Sequence, residues 1–137
     1  MADKTYKLEI VTPEKKVFSE QVDFAVCPGT EGELGVLVNH APLLSSLNAG
    51  EIRITRDKTV QCLAISGGFL EVMHNDVSVI AETAEFANEI DKGRAQKAKE
   101  AAEAALAAAQ SEEDKTAAKL KLAKAVVRLT VAEKAKA

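Results

Sequence analysis

The chain has 137 residues, 47% of them hydrophobic, and a formal net charge of −3. That charge argues against non-specific attraction to nucleic acid or anionic lipid, and no apolar run approaches the ~20 residues that span a bilayer. No signal-peptide pattern opens the sequence, so any membrane association is expected to run through protein partners rather than direct insertion. In chain order, Tyr6, Leu8 and Ile10 alternate with Lys7, Glu9 and Val11, the period of a half-buried strand. Pro13-Glu14-Lys15-Lys16 makes a turn, and Val17-Phe18 followed by Val22, Phe24 and Val26 restarts the alternation until Pro28-Gly29. A dense glycine–apolar run follows, from Gly32-Glu33-Leu34-Gly35 to His40-Ala41-Pro42-Leu43-Leu44. Its glycines admit positive φ or close backbone approach, and Pro42 biases Ala41 to extended backbone. The run predicts a tight, half-buried corner with Glu31, Glu33, Asn39 and His40 as outward polar tips. Further strands are predicted over 52–56, 60–66, 69–73 and 77–81, with hairpins through Asp57-Lys58 and His74-Asn75-Asp76. Many short strands with turn signals predict a β-sandwich, or flattened antiparallel barrel, over residues 1–84.

Around Ala84 the strand formers give way to Ala, Glu, Lys, Gln and Leu, the strong helix formers. Asn88, Glu89 and Asp91 supply a cap and negative charge for a first helix. Ser111 with Asp114 three residues on starts a second. Residues 85–137 are therefore predicted to be an antiparallel α-helical hairpin. Ala95, Ala98, Ala102, Ala105, Leu106 and Ala109 form the expected inner stripe of the first helix. On the second, Ala118, Leu122, Val126 and Leu129 do so. A buried methyl contributes only about 0.8 kcal/mol, while ordering a residue costs roughly 1–2 kcal/mol of backbone entropy. Such a hairpin can leave its seat at modest cost.

No catalytic constellation is visible, and the chain reads as non-enzymatic in itself. Ser66-Gly67-Gly68 lacks the glycine two residues before the serine that a nucleophile elbow needs. Gly29-Thr30-Glu31-Gly32 lacks the Gly-Lys-Ser/Thr ending of a phosphate loop. Cys27 and Cys62 read as buried reduced thiols, with no paired metal-ligand spacing around them. One stretch suggests a ligand. In Ile90-Asp91-Lys92-Gly93-Arg94-Ala95, Asp91 and Arg94 stand three apart, hence on one helical face, and Lys124 with Arg128 forms a second basic stripe. Arginine can grip phosphate bidentately, while a carboxylate accepts from an amine or ribose hydroxyl. An intrahelical Asp91–Arg94 pair is the plainer reading of the same residues. On the second helix Lys115, Lys119, Lys121, Lys124 and Arg128 read as a basic row in search of an acidic partner.

Four blocks together resemble the ε subunits of bacterial F-type ATP synthases. They are Gly-Glu-Leu-Gly…His-Ala-Pro-Leu-Leu, Ser-Gly-Gly-Phe-Leu-Glu-Val from Ser66, Ile-Asp-x-x-Arg-Ala from Ile90, and Arg128-Leu129-x-Val131-Ala132-Glu133. The resemblance implies a central-stalk, or rotor, subunit with the γ subunit, the c ring and the catalytic α/β head as partners. It implies a peripheral position on the cytoplasmic face of the bacterial cell membrane. No cofactor is required, but a regulatory ATP is implied at Glu85, Ile90, Asp91, Arg94, Ala95, Lys124 and Arg128. Contact with the c ring falls to Glu31, Glu33 and His40. Inhibitory contact with the catalytic β subunit falls to Lys115, Lys119, Lys121, Lys124 and Arg128. Two departures weaken the ATP site: alanine stands around Ala101, where strong ATP binders carry arginine, and Lys124 stands where arginine is usual. Lysine is a point charge without the bidentate fork. The alternatives are a stand-alone ATP-sensing protein and, less favoured, a small β-sandwich hydrolase or metal enzyme.

Overall fold

A computed structural model of the chain describes residues 5–134, so the outermost residues of the two predicted domains, 1–84 and 85–137, lie outside it. Ten strands come first: β1 (Tyr6–Val11), β2 (Lys16–Val22), β3 (Phe24–Gly29), β4 (Gly32–Val36), β5 (Leu43–Leu47), β6 (Gly50–Arg56), β7 (Thr59–Ile65), β8 (Gly68–Met73), β9 (Asp76–Ala81) and β10 (Ala84–Phe86). A 3₁₀ turn (Ala87–Glu89) leads into α1 (Lys92–Ala108) and α2 (Glu112–Glu133). The predicted sandwich followed by a helical hairpin is what forms.

The strands hydrogen-bond in the order β10-β7-β6-β3-β5-β8-β9-β1-β2, with β4 paired to β3 alone. The sheet rolls up until its ends meet. Phe18 of β2 and Phe86 of β10 lie with ring centroids 6.1 Å apart, and Arg56 stands 6.0 Å over the Phe18 ring. Every pairing is antiparallel except β1 with β9, which run parallel from Lys7↔Asp76 to Val11↔Ile80. These strands lie some seventy residues apart in sequence, so no local turn fixes their direction.

Inside, Leu8, Ile10, Val22, Ile52, Ile54, Leu63, Leu70, Val72, Val77 and Val79 form one dry core. Tyr6 joins them by donating its hydroxyl to Val36 O at 2.8 Å. Burial holds the Tyr6 phenol far above its ordinary range, so it remains a neutral donor. The β2–β3 alternation slips one residue at Asp23, which uses its N–H on Thr55 O and its carboxylate on the Asp57 N–H. Ala25 and Cys27 consequently point inward, while the expected Phe24 and Val26 do not. Phe24 instead lays its ring on Gly35, where an added Cβ would sit 3.1 Å from two ring carbons. Gly68 is equally constrained: it has φ +153°, and a Cβ there would collide with Ile80 O. Asp57 and Lys58 both take positive φ, 50° and 68°, the signature of the tight β6–β7 hairpin.

The helices meet along alanine, but in a different register from the expected one on α2. Ala118, Ala125 and Ala132, spaced by seven, are buried there, and Ala95 and Ala102 on α1. Val126 is 40% exposed, and Leu122 is only half-buried. Small side chains let two backbones approach, so the larger residues are displaced to the flanks. The open end of the hairpin is seated on the sheet. There Ile90, Ala95, Val131 and Ala132 cluster with Ala64 of β7, flanked by Cys62, Val127 and Leu129. This cover explains why Leu63, Ala64 and Ile65 are buried in succession.

Candidate functional site

Between the β1–β2 turn, β10 and α2 lies a cleft of about 610 Å³, lined in part by Lys15, Ser66, Glu85, Glu89, Lys124 and Arg128. Glu85 is set on β10 by its pairing with Ala64 of β7. Arg128 grips it with two nitrogens, Nε to Oε1 at 2.8 Å and Nη2 to Oε2 at 3.3 Å. Lys124 stands one helical turn earlier on the same wall. Glu89 turns back to accept the Phe86 N–H at 3.1 Å, which fixes the chain between β10 and α1. Three of the residues expected at an ATP site, Glu85, Lys124 and Arg128, are thus brought together.

The other four are placed differently. Asp91 is the N-cap of α1 and accepts from the Arg94 backbone N–H at 3.1 Å, so neither a shared helical face nor a carboxylate–guanidinium pair describes it. Ile90 just before the cap and Ala95 in the first turn lie in one buried cluster, the contact known as a hydrophobic staple. Gly93 leaves room for the cap, since a Cβ there would sit 3.3 Å from Asp91 Oδ1. The Ile-Asp-x-x-Arg-Ala block is therefore a helix-start device, and the exposed Arg94 side chain has no partner in it among the described residues. Neither Asp91 nor Arg94 lines the cleft.

The predicted ring-facing tips are likewise divided. Glu31 lies in the β3–β4 turn, beside Gly29, which pairs with Leu47 at one end of β5. His40 precedes Leu43 at the other end, and its ring Nδ1 donates to Ala41 O at 2.7 Å. Five residues of strand put roughly 14 Å between these ends. The expected single corner is in fact β4, a turn fixed by mutual Asn39–Asn75 hydrogen bonds, and then β5. Glu33, the second residue of β4, has its carboxylate held by Arg53 of β6 at 3.0 and 3.3 Å.

The basic residues of α2 do not form one solvent row. At 100° per residue, Lys121, Lys124 and Arg128 fall on one side of the alanine seam and Lys115 and Lys119 on the other. Lys115 leans on Glu112 at 3.7 Å, and Lys124 and Arg128 face the cleft. Of the two thiols, Cys27 is buried and pushed up to about 12 by desolvation, whereas Cys62 is half-exposed beside the hairpin seat.

Two surfaces went unread in the sequence. On the outer face of β5, β8, β9 and β1, Ser46, Phe69, Ile80 and Val11 pair in one row. Phe69 and Ile80 are about half exposed, with Leu44 and Met73 beside them more so, above a groove of about 550 Å³. The signal was present: Phe69-Leu70 and Val79-Ile80 are apolar on both faces of their strands. The second is the charge chain Glu33–Arg53–Glu51–Lys134.

The fold defines a two-part class: a closed strand domain carrying a two-helix hairpin. Two family models cover the chain: the β-sandwich domain of the ATP synthase delta/epsilon chain over residues 5–87, and its long α-helix domain over 88–133. The chain belongs to the ATP synthase δ/ε family, whose members are non-catalytic subunits of that enzyme. The ATP synthase epsilon chain of Syntrophobacter fumaroxidans is 52% identical over 98% of this chain and 99% of its own length. That of Pelotomaculum thermopropionicum is 57% identical over 78% and 80%. Among solved structures, a chain of the Euglena gracilis mitochondrial ATP synthase, an assembly titled OSCP/F1/c-ring, superposes with a TM-score of 0.83. It shares 24% identity over 97% of this chain and 84% of its own, a likeness of fold.

Proposed function

We propose that this chain is the ε subunit of the central stalk of a bacterial proton-translocating ATP synthase. Its sandwich joins γ to the c ring, and its hairpin restrains ATP hydrolysis by the α/β head. The observation that carries the first part is the exposed pair Phe69–Ile80, continued by the half-buried Val11, on the half of the sheet away from the hairpin seat. An exposed apolar face of this kind marks an interaction site, and γ is the partner assigned to it in this reading. Glu31 and His40, roughly 14 Å apart along β5, and Glu33 on the neighbouring strand are the polar residues proposed to meet the ring. The complex sits on the cytoplasmic face of the cell membrane, and no helix among the described residues is long and apolar enough to cross one.

For regulation, the supporting observation is how little holds the hairpin: an alanine seam, one small apolar cluster and a few ion pairs at its open end. ATP is the ligand proposed for the cleft, gripped by Arg128 and Lys124, with Arg94 folding in from the start of α1. Arg128 is already held by Glu85, so phosphate must compete with a carboxylate, which sets the affinity low. A ligand that prefers the seated hairpin stabilises it by RT ln(1 + [L]/Kd), about 2.7 kcal/mol at a hundredfold excess over Kd. Isothermal titration of ATP into the full chain and into Arg94→Ala tests this. Saturable heat that falls in the variant is expected; equal heats would remove Arg94 from the site, and no heat in the full chain would remove the site.

A further inference from the structure

Four charged side chains form a continuous chain from β4 to Lys134, the residue that caps the end of α2. Glu33 Oε2 and Oε1 meet Arg53 at 3.0 and 3.3 Å, and Arg53 Nη1 also meets Glu51 Oε1 at 3.1 Å. Lys134 Nζ then lies 2.8 Å from Glu51 Oε1 and 2.6 Å from Oε2. Their exposures are graded: the Glu51 side chain is 14% accessible, Arg53 35%, Lys134 43% and Glu33 59%. Glu51 is thus the covered hub, and Glu33 the member offered to solvent. The charges act on one another beyond nearest neighbours. Arg53 holds the Glu33 carboxyl below its ordinary range, and the field of Lys134 adds to that effect.

We propose that this chain of charges is a clasp through which the β3–β4 hairpin controls release of the carboxyl-terminal end of α2. Arg53 divides its guanidinium between Glu33 and Glu51, while Lys134, among the described residues, is paired with Glu51 alone. When a cationic side chain of a docking partner takes Glu33, Arg53 turns wholly to Glu51 and competes there with Lys134. The last turn of α2, which also carries Val131 and Ala132 into the hairpin seat, then loses its ionic anchor. A contact at an exposed strand edge is so converted into a looser helix, with no movement of the sheet. The clasp stands on the isolated chain and goes beyond the subunit assignment, which its failure would leave untouched.

The test is amide hydrogen exchange on the full chain, comparing Glu33→Gln, Lys134→Gln and the double variant. Exposed ion pairs contribute little, so exchange over the last two turns of α2 is expected to quicken roughly two- to fivefold in Glu33→Gln. Lys134→Gln should do the same. Added to it, Glu33→Gln should have no further effect, because the two act through one contact. The parent chain itself should lose the protection at about 0.5 M salt, where screening acts within a few ångströms. Unchanged exchange at α2 in Glu33→Gln, effects that add in the double variant, or equal quickening of the β6 amides would each overturn the clasp.

Discussion

Replacing Phe69 and Ile80 together by aspartate should weaken binding to γ by about a hundredfold while leaving the sandwich folded. The two residues face each other across β8 and β9 and are 55% and 51% exposed, so the core loses little by their substitution. At a protein interface the same positions are costly, since well-packed apolar residues in a contact contribute about 1 kcal/mol each and two carboxylates would be covered without partners. The expected result is a Kd raised by two orders of magnitude, with an unchanged circular dichroism spectrum. Single aspartates at Lys7 or Glu71 on the same outer face serve as controls and should change binding only slightly. If the double variant binds γ as the parent does, the apolar row faces something else.

Removing everything after Gln110 should raise ATP hydrolysis by the reconstituted catalytic head severalfold at low ATP. The deletion takes away α2, and with it the Arg128–Glu85 and Lys134–Glu51 pairs and most of the apolar seat on β7. The main core is built from strand residues and does not draw on α2, so the truncated chain should keep its grip on the stalk. Lys115 and Lys119 on one flank and Lys121 on the other are exposed or half-exposed on the seated helix, and these remain available to an acidic surface of β. Lys124 and Arg128 become available only when the helix leaves the cleft. Inhibition by the full chain should therefore fall as salt rises, because the contact is between screened charges. Equal rates for full-length and truncated chains at low ATP would show that this tail restrains nothing.

Much of the strand domain can be read locally, because strand period and turn chemistry are local. Tyr6, Leu8 and Ile10 alternate into the core as expected, and Asp57-Lys58 and His74 take the positive φ that their hairpins require. Non-local relations are where the reading stops. The parallel β1–β9 pairing joins distant segments, and the slip at Asp23 depends on bonds to Thr55 and Asp57. On α2 the buried stripe is decided by how closely two backbones approach, which favours Ala125 over Val126 although hydrophobicity favours the reverse. The apolar neighbours of Cys62 predict a core residue, yet it sits half-exposed at the margin of the hairpin seat. The candidate site was half legible. Glu85, Lys124 and Arg128 converge, whereas Ile90, Asp91 and Ala95 have a sufficient structural reason in the cap and staple of α1. The charge chain through Arg53 and Lys134 could not have been found by spacing, since its members are brought together only by the fold.

The most direct test is to place an affinity tag on the full chain, solubilise membranes of the producing bacterium in mild detergent, and identify what elutes with it. The account predicts that γ, the c ring and the catalytic α and β subunits elute together with the chain, in one complex that hydrolyses ATP. A chain that elutes alone, still folded and free of γ, would contradict its place in the stalk and favour a free-standing nucleotide sensor.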